Sequence, residues 1–467
     1  MTSIAKSVLS ALIIFICQHH LVHAQTLSLK EAEDAALKNY NIIKAKSNYA
    51  KASQTVIAQT KRDALPNFVV SAQQDYGTIN GQNGPLYGFG GFGVASSGLP
   101  LPEQNWNAAF GALYLANINW EFFAFGRVKE RIKAAESVFE RDNMDLLQEQ
   151  FQHQVKVAAA YLNLLAAQRI TRSLQNNLNR ADTFRLVVTT RAKNGLIAGV
   201  DSSLANAEVS AAKIVLLRAQ DAEQQKASEL AILMGTPDKL DFLLDTLFIT
   251  KIPAAIGDSF SIRQNHPVLA YYRSRINVSD QQQKYIRTLQ YPAFSLFSVY
   301  QTRGSGFHSS YATDQTAYDH KYFEGIKPVR SNYLVGVGVT WNLTTLLRIH
   351  QQSTSQKFIS EALRNEYDQV LQQLTAQQIL AEAKLKNAIS AYIEAPVQVK
   401  AASDAYLQRT VLYKNGLTTI VDVTQALYTL NRAETDRDIA YNNVWQALLL
   451  KAAAAGDFGL FMNEVGN

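Results

Sequence analysis

One short stretch of this chain occurs twice. Asn194-Gly195-Leu196, closed by Val200-Asp201, returns as Asn415-Gly416-Leu417, closed by Val421-Asp422. The copies lie 221 residues apart, and the same offset carries Trp120 onto Trp341 and Arg127 onto Arg348. A fixed offset of this kind marks an internal duplication, so each half must fold in the same way. A Gly with polar neighbours between long periodic segments predicts a tight turn, and the Asp a few residues later can cap or charge the next helix. Each copy therefore predicts the tip joining two long helices.

The segments that meet at these tips are unusually long. Helical sequence runs from about Gly126 to Lys193 and from about Leu347 to Lys414. At about 1.5 Å per residue such a helix reaches roughly 100 Å. Heptad spacing is visible in Val155, Ala158, Leu162 and Leu165, and on the returning side in Ile420, Val423, Leu427 and Leu430. Ala at the seams permits close helix approach, and abundant Gln and Asn suit faces in contact with water. Pro396 predicts a kink or local break in the second long helix.

Ahead of each long helix the period changes. A helix from Ser28 to about Arg62 stops at Pro66, and its counterpart from about Ser261 to Gln290 stops at Pro292. Phe110, Ala112, Tyr114, Ala116, Ile118, Trp120 and Phe122 then alternate with more polar neighbours, as do Tyr333, Val335, Val337, Val339, Trp341 and Leu343. Four strands are expected, at about 66–76, 109–122, 292–302 and 333–343, each long enough to cross an outer membrane at a tilt. Trp120 and Trp341 at strand ends suit an aromatic girdle. Residues 77–108 and 303–332 have the Gly, Asn, Ser and Tyr of long exterior loops. Four strands cannot close a barrel, so several copies of the chain are required.

The remaining composition narrows the function. Residues 1–24, with Lys6, an apolar run and Val22-His23-Ala24, read as a secretory signal peptide. The single Cys17 lies inside it, so no disulfide is expected in the mature chain. A formal charge of +6 without a basic run argues against nucleic-acid binding. The expected organisation is a first repeat at 25–248, a second at 249–455, and a loosely held tail at 456–467.

With these features placed, the chain resembles the TolC-like family of outer-membrane efflux proteins. The resemblance rests on Leu29-Lys30-Glu31-Ala32, Ala64-Leu65-Pro66, Trp120-Glu121-Phe122-Phe123 before Gly126-Arg127, Ala160-Tyr161-Leu162-Asn163-Leu164-Leu165, and both Asn-Gly-Leu turns. It implies an α+β membrane protein: a homotrimer forming a 12-stranded outer-membrane β-barrel, four strands per chain, continuous with a long periplasmic helical barrel. It also implies partners, a periplasmic adaptor (membrane fusion) protein and an inner-membrane transporter, in an efflux or type I secretion system. The resemblance assigns a periplasmic gate to Asp201, Tyr413 and Asp422, and adaptor docking to the turns Asn194, Gly195, Leu196 and Asn415, Gly416, Leu417. Two family positions depart, with Thr418 in place of an Arg and Gln425 in place of a second Asp. Helix N-terminal stabilisation is the competing role for Asp201 and Asp422.

No catalytic chemistry is expected. Gly88-Phe89-Gly90-Gly91-Phe92-Gly93 matches a dinucleotide fingerprint but lacks its strand-turn-helix setting. His308, Asp314, Asp319 and His320 share a loop without metal-ligand spacing. No cofactor is expected. The rival function is a secreted structural coiled-coil protein of the envelope or of adhesion, which explains the heptads but not four strands at matched repeat positions.

Overall fold

The computed structural model describes residues 26–81, 99–246, 248, 251–253 and 265–466. The signal segment, the glycine run from Gly88 to Gly93 and the helix start near Ser261 lie outside the described residues. The chain divides into two compact units, one of Ala52–Phe139 and Ile276–Ala362, the other of Met1–Lys51, Glu140–Arg275 and Leu363–Asn467.

In chain order the elements are α1 (Leu29–Asn39), α2 (Asn41–Arg62), β1 (Asn67–Thr78), β2 (Ala108–Phe123), α3 (Arg127–Lys193) and α4 (Gly199–Met234). Then follow α5 (Pro267–Thr288), β3 (Ala293–Ser305), α6 (Tyr322–Ile326), β4 (Arg330–Thr340), α7 (Thr345–Lys414), α8 (Ile420–Ala455) and α9 (Gly459–Gly466). Ser28 opens α1 through a capping box with Glu31. The single helix expected from Ser28 to Arg62 is broken at Tyr40, which has extended backbone and stacks its ring on His153 at 3.8 Å. Gly235, the left-handed cap of α4, packs against Asn39 so closely that a Cβ there would lie 2.8 Å from the Asn39 Cβ.

The first unit is built on one antiparallel sheet in the order β1-β2-β3-β4. Its register sorts the strands into two faces. Phe68 and Val70 pair with Ile118 and Ala116, which pair in turn with Ser298 and Tyr300, and these with Val335 and Tyr333. That face carries no charge. The four charged strand residues, Asp75, Glu121, Arg303 and Arg330, all fall on the other face, among Asn117, Asn119, Gln301 and Asn332. A bulge separates Glu121 from Phe123 where β2 leaves the sheet. On the charged face the Phe297 ring covers its partner Gly336, where a Cβ would meet the ring at 2.5 Å. On the uncharged face Val335, Val337 and Val339 are 60–63% exposed, a surface that water does not favour.

The second unit is helical. Its core gathers Leu29, Tyr161, Leu162, Leu230, Trp445, Leu448 and Phe461, each at most 1% exposed. The Tyr161 hydroxyl donates to Leu27 O at 2.7 Å, and Leu27 bridges to Leu244. The tail is not loosely held: α9 buries Phe461 completely, edge-on against Trp445. Apolar burial outweighs the entropy of ordering so short a helix. Nor does Pro396 break α7, which stays helical through it. One proline removes a single backbone bond, and the turns on either side remain helical. Among the described residues no helix is long and apolar enough to cross a membrane.

Candidate functional site

Both repeated turns close in the same way. Leu196 N–H donates to Arg191 O at 2.9 Å and Gly195 N–H to Ala192 O at 3.0 Å; Leu417 and Gly416 repeat this with Leu412 and Tyr413. This is the Schellman pattern, and it requires the left-handed φ found at Gly195 (74°) and Gly416 (73°). The satisfied carbonyls leave apolar side chains outside: Leu196 and Leu417 are 66% and 72% exposed. Asn194 and Asn415 flank the glycines, and the Asn415 amide returns to Val411 O at 3.0 Å.

The helices that follow differ. Thr419 caps α8 in a box with Asp422, whose carboxylate accepts from Thr418 Oγ1 (2.8 Å), Thr419 Oγ1 (2.6 Å) and Thr419 N–H (3.1 Å). These bonds, with Arg409 at 3.9 Å, lower its pKa to about 2. In the first copy Ala198 offers α4 no side-chain cap, and half-buried Asp201 lies in the first turn.

Tyr413 is buried among Phe184, Val188, Ala205, Ile420 and Val423. Its hydroxyl has no hydrogen-bond partner among the described residues, so no bond to Asp201 is formed. Burial, followed by the nearby Asp201 charge, raises the phenol pKa. The tie between the two helical tips comes instead from Arg191. Its Nη1 donates to Tyr413 O and Lys414 O, both at 3.0 Å, while the guanidinium lies 5.6 Å from the Tyr413 ring centre. A cation thus sits on the C-terminal carbonyls of α7. Farther along, Arg180 grips Glu434 with both terminal nitrogens at 3.1 and 2.6 Å. Sequence reasoning missed both arginines. The available signal was a break in the repeat, since the equivalents of Arg191 and Arg180 are Leu412 and Ala401.

The two tryptophans occupy matched positions in the strand unit. Trp120 Nε1–H donates to Ala64 O at 2.9 Å, and Trp341 Nε1–H to Gln290 O at 3.1 Å. Both acceptors lie two residues before the prolines that end the preceding helices, Pro66 and Pro292. Phe123, Phe125, Tyr291 and Phe294 cluster at the same end of the sheet. In the β3–β4 loop Asp314 binds Thr316, Asp319 accepts the Lys321 N–H, and His320 packs on Tyr318. Among the described residues no cluster could hold a metal ion.

Residues 32–236 match the family model described as outer membrane efflux protein. Over that stretch the chain is similar to the outer membrane efflux proteins. Solved channels share its fold. VceC from Vibrio cholerae is 18% identical with a TM-score of 0.71, over 92% of this chain and 96% of that one. CmeC from Campylobacter jejuni is 16% identical at 0.72, over 92% and 85%. The MtrE channel from Neisseria gonorrhoeae, in its open state, is 16% identical at 0.67, over 92% and 89%. Comparison with curated proteins gave no match. The fold class is the one expected, α+β, with four strands and long helices, as in these outer-membrane proteins. The matched model describes outer membrane efflux proteins, and CmeC is an outer membrane channel. CmeC and MtrE are channels.

Proposed function

We propose that the chain forms a homotrimeric, passive export duct of a tripartite efflux or type I secretion system, gated at its periplasmic tip. The observation that carries this reading is the four-stranded sheet with one uncharged face and open edges at β1 and β4. An open edge needs a partner strand, and an uncharged face needs lipid. Three copies joined β4 to β1 give twelve strands and leave no edge. The charged face then lines an aqueous lumen, and Trp120 and Trp341 form the inner girdle. Reconstitution in planar bilayers tests the duct: purified trimer should give stable, ohmic single-channel steps, and a silent bilayer would refute it.

The gate belongs to the turns. Tyr413, Asp201 and Asp422 are its proposed residues, with Arg191 as the tie. Asp422 already serves its own cap, which makes it the least free of the three to bind a passing cation. Arg191→Gln and Tyr413→Ala should raise conductance severalfold; unchanged conductance in both would place the gate elsewhere. The exposed Leu196 and Leu417 on rigid turns are the proposed contacts for a periplasmic adaptor, itself bound to an inner-membrane transporter. Replacing both leucines with Asp should abolish co-purification of the adaptor while leaving the trimer intact. Normal adaptor recovery would argue against docking there.

A further inference from the structure

The segment between β3 and β4 folds back onto the sheet. Tyr114 Oη donates to Ile326 O at 3.2 Å, Tyr322 Oη donates to Gln74 Oε1 at 2.7 Å, and Val329 N–H donates to Arg303 O at 2.8 Å. The Tyr322 ring meets Phe110 edge-on at 5.2 Å. The backbone of α6 rests directly on strand backbone. A Cβ at Gly304 would lie 2.7 Å from Gly325 O, and one at Gly325 would lie 2.5 Å from the Phe110 Cβ. Gln74, Phe110, Tyr114 and Gly304 all belong to the uncharged face. This seat is built, and it is on the side assigned to lipid.

Its height follows from the strand. Phe110 and Trp120 lie ten residues apart on β2, about 34 Å along the strand and about 26 Å once tilted by ~40°. That is the thickness of the apolar band of a barrel, roughly 25 Å. With Trp120 at the inner boundary, α6 stands at the outer one. It packs chiefly on β2 and β3, the two central strands, and reaches the β1 edge through the Tyr322 bond to Gln74. Its outward side offers Phe323 (78% exposed) and Val329 (65%). Lys321 and Lys327 flank it, exposed and without an ion-pair partner among the described residues. Asp319 is half-buried and occupied by the Lys321 N–H, so Glu324 is the one exposed acid of the strap.

We propose that α6 and its flanks form a lipid-anchoring strap: Lys321 and Lys327 bind the phosphate-bearing headgroup of an outer-leaflet lipid, and Phe323 and Val329 enter the acyl region beneath it. The inference rests on the uncharged face meeting lipid and is independent of the gate. Native mass spectrometry of the purified trimer in neutral detergent, with phosphatidylglycerol or phosphatidylcholine added, tests it. Wild type should retain phosphatidylglycerol preferentially. Lys321→Gln with Lys327→Gln should lose that preference by on the order of tenfold, the double Arg variant should keep it, and Glu324→Gln should strengthen it. The same spectra report whether each variant is still trimeric. Equal retention of both lipids by wild type, or an unchanged preference in the double Gln variant, overturns the proposal. So does displacement of the lipid by millimolar inorganic phosphate, which would mark a site for free anions.

Discussion

At the scale of single residues, two buried groups make opposite demands. The Tyr413 hydroxyl is buried without a partner, so its ring rather than its oxygen carries the packing at the tip. Tyr413→Phe should therefore leave conductance unchanged, in contrast to Tyr413→Ala; a Phe variant as open as the Ala variant would show that the hydroxyl matters. Glu33 is 6% exposed with one carboxylate oxygen unpaired, and burial, then the charge of Asp34, raises its pKa to about 8. A raised carboxyl pKa means that the folded state holds a proton the unfolded chain releases near 4.5. Its contribution is complete below that value and is lost as pH rises through about 8. Glu33→Gln should flatten the fall in thermal stability between pH 5 and 9, by a few kcal/mol at most. An equally steep fall in the variant would reject the assignment.

At the scale of elements, the sheet faces and the helix-to-strand junctions make separate predictions. Val335 and Leu334 are neighbours on β4 that point to opposite faces. Val335→Lys places a charge in lipid near mid-strand and should cost about 2–4 kcal/mol, abolishing folded trimer in the outer-membrane fraction. Leu334→Lys should be tolerated, and the reverse pattern would exchange the faces. Trp120→Phe and Trp341→Phe each lose one indole hydrogen bond to a helix-end carbonyl and should each cost about 1 kcal/mol, read as a lower thermal midpoint of the trimer. The strands were legible because alternation is a period of two, and Trp120 and Trp341 because they recur at one offset. The break at Tyr40 was not legible, because His153 and Asn39, which shape it, meet their partners across long stretches of sequence.

At the scale of the whole molecule, assembly should follow from the edges. Beyond residue 24 the chain has no cysteine, so introduced pairs report cleanly. Within one chain β1 and β4 are three strand spacings apart, about 14 Å, beyond the reach of a disulfide. Val337→Cys combined in turn with cysteines along residues 69–73 should give a covalent trimer for at least one pair; monomers throughout would sink β4-to-β1 closure.

The duplication, the strands, the long helices and their Asn-Gly-Leu turns were determined by the sequence alone, since each is a matter of local period or of residues that tolerate left-handed backbone. The family resemblance followed from their order. The tertiary structure decided how the two equivalent tips became unequal. Arg191 reaches the carbonyls of Tyr413 and Lys414, more than two hundred residues away, and Asp422 turns inward to its own cap. It also decided that the β3–β4 segment lies on the sheet, where Gly304 and Gly325 permit backbone to meet backbone. Local periodicity records how a segment turns. It holds no record of which distant carbonyl or strand a side chain meets, and those contacts set the tip and the strap.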